Sequence, residues 1–556
     1  MTRSLPSRKD APPRRPLLSR TSLRVALSLL ALVGLVALRI SAEETSGAGA
    51  SDPEGKAVSA ALHDPPGAMS ATTEPEAHEA ETSPAASDAL PEVADQAGQG
   101  AAAGTPEAYI PSLASILPFV TLLLMIAVMP LIPNLNHWWE NNGNRLMAAL
   151  VLGGVTCLYY LFRGQGFHHA EAGLPSVLQV LDHAILVDYI PFMVLLFSLF
   201  TISGGIFIGG DIPAHPLTNV LVLLVGALLA SFIGTTGASM LLIRPLLQIN
   251  IERKYVTHSV VFFIFLVSNV GGCLLPIGDP PLFLGYLRGV PFLWTLELVD
   301  VWFFCVVILL AVYWLIDRHY YKRETLEDIQ RDEHRPRLFE VRGKVNFLLL
   351  MGVIAVVALM VPGKTLPGTA WTIPDLYLRE FLLLGLAGAS MLLTPEAIRR
   401  ANAFSFYAIG EVAALFIGIF ITMQAPVEIL NIKGPDLGLS SPAQFFWATG
   451  VLSSFLDNAP TYVVFFQTAG TLPPTGAETL QGVATATGRI AIPLLTAVSL
   501  GSVFIGACTY IGNGPNFMVK SIAESFDVKM PSFLGYMGYS FVFLFPVFTL
   551  ITWVFF

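Results

Sequence analysis

Two carboxylates in apolar surroundings set the chemistry open to this chain. Asp279 lies in SNVGGCLLPIGDPP at 268–281, and Asp457 in SSFLDNAPTYVVFF at 453–466. Small hydroxyl and amide side chains share their stretches. Ser268 and Asn269 precede Asp279, and Asn458 and Thr461 follow Asp457. Two further polar interruptions carry no acid: GTTGAS at 234–239, with Thr235, Thr236 and Ser239, and ACTYIGNGPNFMVK at 507–520, with Thr509, Asn513 and Asn516. Such oxygens suit a hard cation such as Na+, and helix starts rich in free N–H groups suit carboxylates. An ionised carboxylate in a low-dielectric place is costly unless a cation or donor compensates it. A proton and a metal ion can then compete for one acid. A site built for a dianion should avoid fixed negative charge, because like charges a few ångströms apart repel strongly. The pattern points to cation/proton exchange, with Na+ and H+ as the ions and no cofactor. Glu411 near the start of a span could relay protons, and Arg244 in LLIRPLL could neutralise Asp279 or snorkel to the surface.

These residues need elements that carry polar backbone to membrane depth. The run from Val260 past Leu282 is long enough to span a bilayer, yet its middle holds Pro276, Gly278, Pro280 and Pro281. Consecutive prolines break the helix, and broken backbone survives at that depth only when packed in protein or lining a wet cavity. The stretch 277–283, IGDPPLF, aligns with IGNGPNF at 511–517. Paired interrupted helices in corresponding places point to a secondary transporter's binding site.

Spans are predicted at 110–131, 145–162, 188–208 and 297–316, then at 345–361, 379–394, 406–425 and 533–556. Re-entrant hairpins are predicted at 217–249 and 443–468, and broken helices at 258–288 and 490–524. The fold class is an all-α polytopic membrane protein of about ten to eleven spans, with two re-entrant hairpins and two discontinuous helices. Residues 318–344 carry eight Lys and Arg and read as a cytoplasmic loop. Counting outward gives the same element order twice with opposite orientation, an inverted repeat over 109–317 and 345–556. Ser231-Phe232-Ile233 and Ser454-Phe455-Leu456 precede the two hairpin tips in matching positions.

Composition agrees. Hydrophobic residues make up 54% and charged residues only 13%, which is the balance of a multi-pass membrane protein surrounded by lipid. Net charge is -9, much of it in an N-terminal tract, and nothing suggests nucleic-acid binding. Cys157, Cys273, Cys305 and Cys508 have no CxxC spacing and read as buried small hydrophobes. Residues 1–42 resemble a signal peptide or first anchor, and 43–108 lack the apolar content to fold. The expected location is the inner (plasma) membrane, with 43–108 outside the cytoplasm.

GTTGASMLLIRP, SNVGGCLLPIGDPP, SSFLDNAPTYVVFF and CTYIGNGPNF resemble the ion transporter superfamily. Within it they are most similar to citrate-transporter and NhaD-type sodium:proton antiporter-like families, over roughly 110–556. The resemblance implies a scaffold, a moving transport domain with elevator-like alternating access, and a homodimer. Asp457-Asn458 and Gly278-Asp279 look more like the antiporter pattern than the Ser-Asn-Thr and Thr-Pro-Pro of divalent-anion symporters. The expected function is sodium/proton antiport. The alternative is a sodium- or proton-coupled symporter of citrate or another small organic anion. An intramembrane aspartyl protease using Asp279 and Asp457 is a remote third reading, and the chain is otherwise not expected to be an enzyme.

Overall fold

The computed structural model describes residues 109–556 except 168–169, 334–336, 375–376 and 473–481. The expectations for 1–42 and 43–108 lie outside the described residues.

Three long helical segments open the described chain, α1 (Leu117–Val128), α2 (Asn142–Phe162) and α3 (Leu174–Ser203), with a short helix at Pro133–Trp139 between the first two. Asn141 caps α2 by accepting from the Gly143 N–H at 2.8 Å. The third segment starts at Leu174, well before the expected 188, and passes through a π-helical stretch, Asp182–Tyr189. Its polar residues interrupt the apolar pattern in sequence. In space Asp188 is buried and paired with Arg288 at 3.1 Å, so the helix continues.

Next come strand β1 (Phe207–Asp211) and the first hairpin, α4 (Pro216–Ile233) and α5 (Thr235–Ile249). The reversal takes a single residue, Gly234, at φ 78° and ψ 149°, where only glycine sits without strain. The expected interruption at 234–239 is therefore shorter, because Thr235 already begins α5. At the open end, Asn219 and Asn250 exchange two amide hydrogen bonds of 2.9 Å, which puts both feet of the hairpin on one side.

The first broken helix is α6 (Thr257–Leu266), an unwound stretch with one 3-10 turn at Val270–Cys273, and α7 (Pro280–Leu287). Pro280 and Pro281 open α7, where a missing N–H costs nothing. Inside the break the chain folds back so tightly that a Cβ on Gly278 would collide with the Gly272 carbonyl. The half closes with α8 (Val299–Tyr321).

The charged segment 318–344 is more ordered than a plain loop. It holds the last turn of α8, a short helix at Leu326–Glu333, and β2 (Arg337–Arg342), antiparallel to β1. Neither strand is legible locally, since the partners stand more than a hundred residues apart.

The second half repeats the order: α9 (Val345–Leu359), α10 (Leu378–Leu393), then α11 (Tyr407–Thr422) and α12 (Gln424–Lys433), which bend by 41°. The second hairpin is α13 (Pro442–Phe455) and α14 (Asn458–Thr471), and it starts with a Ser441/Gln444 capping box. A two-stranded ribbon, β3 (Gly482–Thr485) and β4 (Gly488–Ala491), leads into the second broken helix, α15 (Ile492–Ile505) and α16 (Gly514–Ser525). The last helix is α17 (Phe533–Phe555).

The chain is an all-α polytopic membrane protein. Among the described residues five helices are individually long and apolar enough to cross a bilayer, six if the bent pair α11–α12 counts as one. The ten to eleven expected spans exceed that number for a physical reason. The breaks leave apolar helices such as Thr257–Cys273 and Ile492–Cys508 too short to pass alone. The core is densest around the breaks, where every residue from Val260 to Val267 is fully buried. Phe192 of α3 stacks on Phe416 of α11 at 4.9 Å and approaches Phe283 of α7 at 6.4 Å, joining the halves.

Candidate ion-binding site where hairpins and breaks meet

Asp279 is buried, and three separate segments converge on its carboxylate. Oδ1 accepts from the Thr235 hydroxyl at 2.7 Å and the Asn513 amide at 3.2 Å, while Oδ2 accepts from the Asn458 amide at 2.6 Å. Thr235 is the first residue of α5, Asn458 the first of α14, and Asn513 immediately precedes α16. Each is placed by a helix start, where side chains point back over the turn that the backbone has just left. The Thr235 N–H donates to the Gly278 carbonyl at 2.8 Å, fastening the first tip directly to the first break.

Asn513 stands where the aligned break has Asp279, and the two backbones agree: φ -145° and ψ 143° for Asp279, φ -153° and ψ 139° for Asn513. One break thus supplies the acid and the other an amide that bonds to it. The Asn513 amide also reaches the Ser268 carbonyl at 3.1 Å and Asn269 Oδ1 at 3.3 Å. Asn269 donates to Asn516 Oδ1 at 2.7 Å, and Asn516 donates to the Thr509 carbonyl at 2.9 Å. This asparagine chain stitches the two breaks together. Ser239 and Ser268 hydroxyls lie 2.8 Å apart, and the Thr509 hydroxyl donates to the Ser454 carbonyl while accepting from the Gly512 N–H at 3.1 Å.

The other sequence candidates sit differently. Asp457 caps α14 by accepting from the Ala459 N–H at 3.0 Å, and the Thr461 hydroxyl turns back to the Asp457 carbonyl at 2.9 Å. Thr236 is half-buried in the first turn of α5 without a side-chain hydrogen bond. Arg244 makes no ion pair with Asp279, and one of its guanidinium nitrogens is buried without an acceptor. Glu411 pairs with Arg145 at 2.9 Å, not with any group of the tips. Sequence reasoning passes over Ser231 and Ser454 as ligands of the fold. Ser231 Oγ donates to the Gly271 carbonyl at 2.6 Å, and Ser454 Oγ to the Ile505 carbonyl at 2.9 Å. Their signal is the matched triplets before the two tips.

Among the described residues no Lys, Arg or His pairs with Asp279 or Asp457, and no cluster of three or more His, Cys, Asp or Glu forms a metal centre. The donors around Asp279 are all neutral. Asn458 spends its NH2 on Asp279, and its own Oδ1, fully buried, has no hydrogen-bond partner. A buried acceptor left over beside a carboxylate is what a small cation or a proton-bearing group would use.

Comparison with curated proteins finds no match to the chain. A family model described as "Putative citrate transport" matches residues 108–556, the whole of the described part. A match of that extent, on a helical membrane fold, makes the chain a member of this family of membrane transporters.

Proposed function

We propose that this transporter exchanges Na+ for H+ by elevator-type alternating access. The observation that carries the reading is the buried carboxylate of Asp279, held by neutral donors from both hairpin tips and the opposite break, with no basic side chain paired to it among the described residues. Ionised, that acid needs a cation, and either Na+ or H+ supplies the charge. The repeated element order and the Asp279/Asn513 correspondence support an inverted repeat, in which the four helix starts move together as one body. The reading includes an inner-membrane homodimer with 43–108 outside the cytoplasm.

The family's description favours a second reading, coupled symport of citrate or a related carboxylate. A polyanion about 4 Å from ionised Asp279 would meet roughly 4 kcal/mol of repulsion per charge pair at an effective dielectric of about 20. A cation must therefore bind first, after which the helix N-termini could receive a carboxylate. Protease chemistry requires two carboxylates that share a proton. Here Asp457 caps a helix, Asp279 bonds to amides and a hydroxyl, and no hydrogen bond joins the two acids.

The test is reconstituted transport. Sodium gradients should drive proton flux in proteoliposomes without citrate, and the KM for Na+ should rise as pH falls because a protonated acid offers no charge. Asp279→Asn should reduce flux to background while the protein still inserts. Flux that appears only with citrate, together with gradient-driven uptake of labelled citrate, would replace antiport by symport.

A further inference from the structure

A cavity of about 340 Å³ opens between the start of α6, the last turns of α8 and the first turns of α17. That is within the roughly 300–1,000 Å³ of small-molecule sites. Its lining is split by polarity. His258, His319, Tyr320 and Tyr539 stand with the apolar Leu315 and Phe543. The cavity lies at the foot of the first broken helix, none of its lining residues bonds to the Asp279 carboxylate, and neither antiport nor symport uses it.

Its depth follows from its neighbours. Arg318 lies over the Trp314 ring at 5.2 Å, and Arg323 over the Tyr320 ring at 5.9 Å. Trp and Tyr with long cations laid across them mark the headgroup level of a bilayer. The end of α8 that bears Arg318, Lys322 and Arg323 is the face that the positive-inside bias assigns to the cytoplasm. From there α8 and α17 run antiparallel toward the far side, where Phe304 meets Phe555 at 5.5 Å. Leu315, Val307 and Phe303 stay exposed along this course.

We propose that this cavity holds the headgroup of an anionic phospholipid of the inner leaflet, its phosphate against His319 and the Arg323 rim and its acyl chains along the α8–α17 seam. The lining itself carries no Lys or Arg, but Arg323 lies over the ring of the lining residue Tyr320, so a phosphate seated between His319 and that ring meets a cation, and the exposed Leu315, Val307 and Phe303 continue the track into hydrocarbon. The rear wall gives the site a reach beyond itself. His258 stacks on Tyr320 at 4.8 Å, and its Nε2 bonds to Asp317 at 2.8 Å. Asp317 in turn binds Arg253 at 2.7 Å and Asn219 at 3.3 Å, at the foot of the first hairpin. A bound headgroup therefore presses on the base of an element whose tip touches Asp279.

The experiment uses the full chain purified in neutral detergent and supplied with phosphatidylglycerol, with phosphatidylcholine of the same acyl chains, or with inorganic phosphate. Retained lipid is read by native mass spectrometry and Tm by thermal unfolding. Phosphatidylglycerol should be retained in preference to phosphatidylcholine and raise Tm, and phosphate should do neither. The double variant His319→Gln, Arg323→Gln alters two exposed residues and leaves the core alone. It should weaken phosphatidylglycerol retention by about fivefold or more, near the effect of one interfacial cation. Phe543→Trp, which fills the cavity without changing charge, should do the same. Equal retention of the two lipids, wild-type retention by both variants, or a Tm rise from phosphate matching that from phosphatidylglycerol would each overturn the proposal. None of these readouts depends on which ion is transported.

Discussion

The amide of Asn458 divides its two ends between two tasks. Its NH2 steadies Asp279 at 2.6 Å, and its oxygen remains buried and unbonded. Asn458→Ala removes both, leaving one carboxylate oxygen without its donor, a loss of about 1–3 kcal/mol. The expected result is a rise of roughly tenfold or more in the KM for Na+, measured as Na+-driven flux in proteoliposomes, with the protein still inserted and folded. An unchanged KM would take Asn458 out of the site. At this scale the sequence is informative wherever an acid or amide interrupts an apolar run, as with Asp279, Asn269 and Asn513. It is silent about which groups meet. The bonds from Thr235, Asn458 and Asn513 to Asp279 join residues 44, 179 and 234 positions away, and no local pattern encodes them. Arg244 and Glu411 show the converse: each looks like a charge partner by composition, and neither forms an ion pair with Asp279 or Asp457.

Among the elements, the breaks depend on backbone reaching backbone. Gly278 packs on the Gly272 carbonyl, and Gly512 on the Gly506 carbonyl, with the same six-residue spacing in both halves. A methyl group at either position has no room, so Gly278→Ala and Gly512→Ala should each destabilise the protein by about 1–3 kcal/mol and lower transport. Gly514→Ala, at the first residue of α16 with open space around the new methyl, should leave Tm near that of the parent. Thermal unfolding of the three variants side by side checks the assignment, and equal Tm values would show that the breaks tolerate side chains. Prolines and glycines make these breaks legible in the amino-acid sequence, because they forbid continuous helix whatever surrounds them. The long α3 and the β1–β2 ribbon are not legible there. The first depends on Arg288 to make Asp188 acceptable inside a helix, and the second on strands drawn from distant loops.

For the molecule as a whole, the proposed sliding motion can be tested at the seam between the breaks and the surrounding helices. Arg288 at the end of α7 holds Asp188 of α3 at 3.1 Å, beside the Phe192, Phe283 and Phe416 rings. If the hairpins and breaks slide as one body, this pair must separate in each cycle. With the four native cysteines removed, Asp188→Cys with Arg288→Cys joined by a short bis-maleimide should halt Na+-driven proton flux. Either single cysteine treated with the same reagent should keep most of it. Full flux in the joined protein would mean that the body does not slide along this seam.

The acid at the centre of the chamber is encoded before the linker at 322–344, while two of its three side-chain donors, Asn458 and Asn513, are encoded after it. The partners of one carboxylate are thus drawn from both halves of the polypeptide. A nascent chain that has finished only its first half holds Asp279 with Thr235 as its one side-chain donor, and the acid is fully surrounded only when the last quarter of the protein brings Asn458 and Asn513.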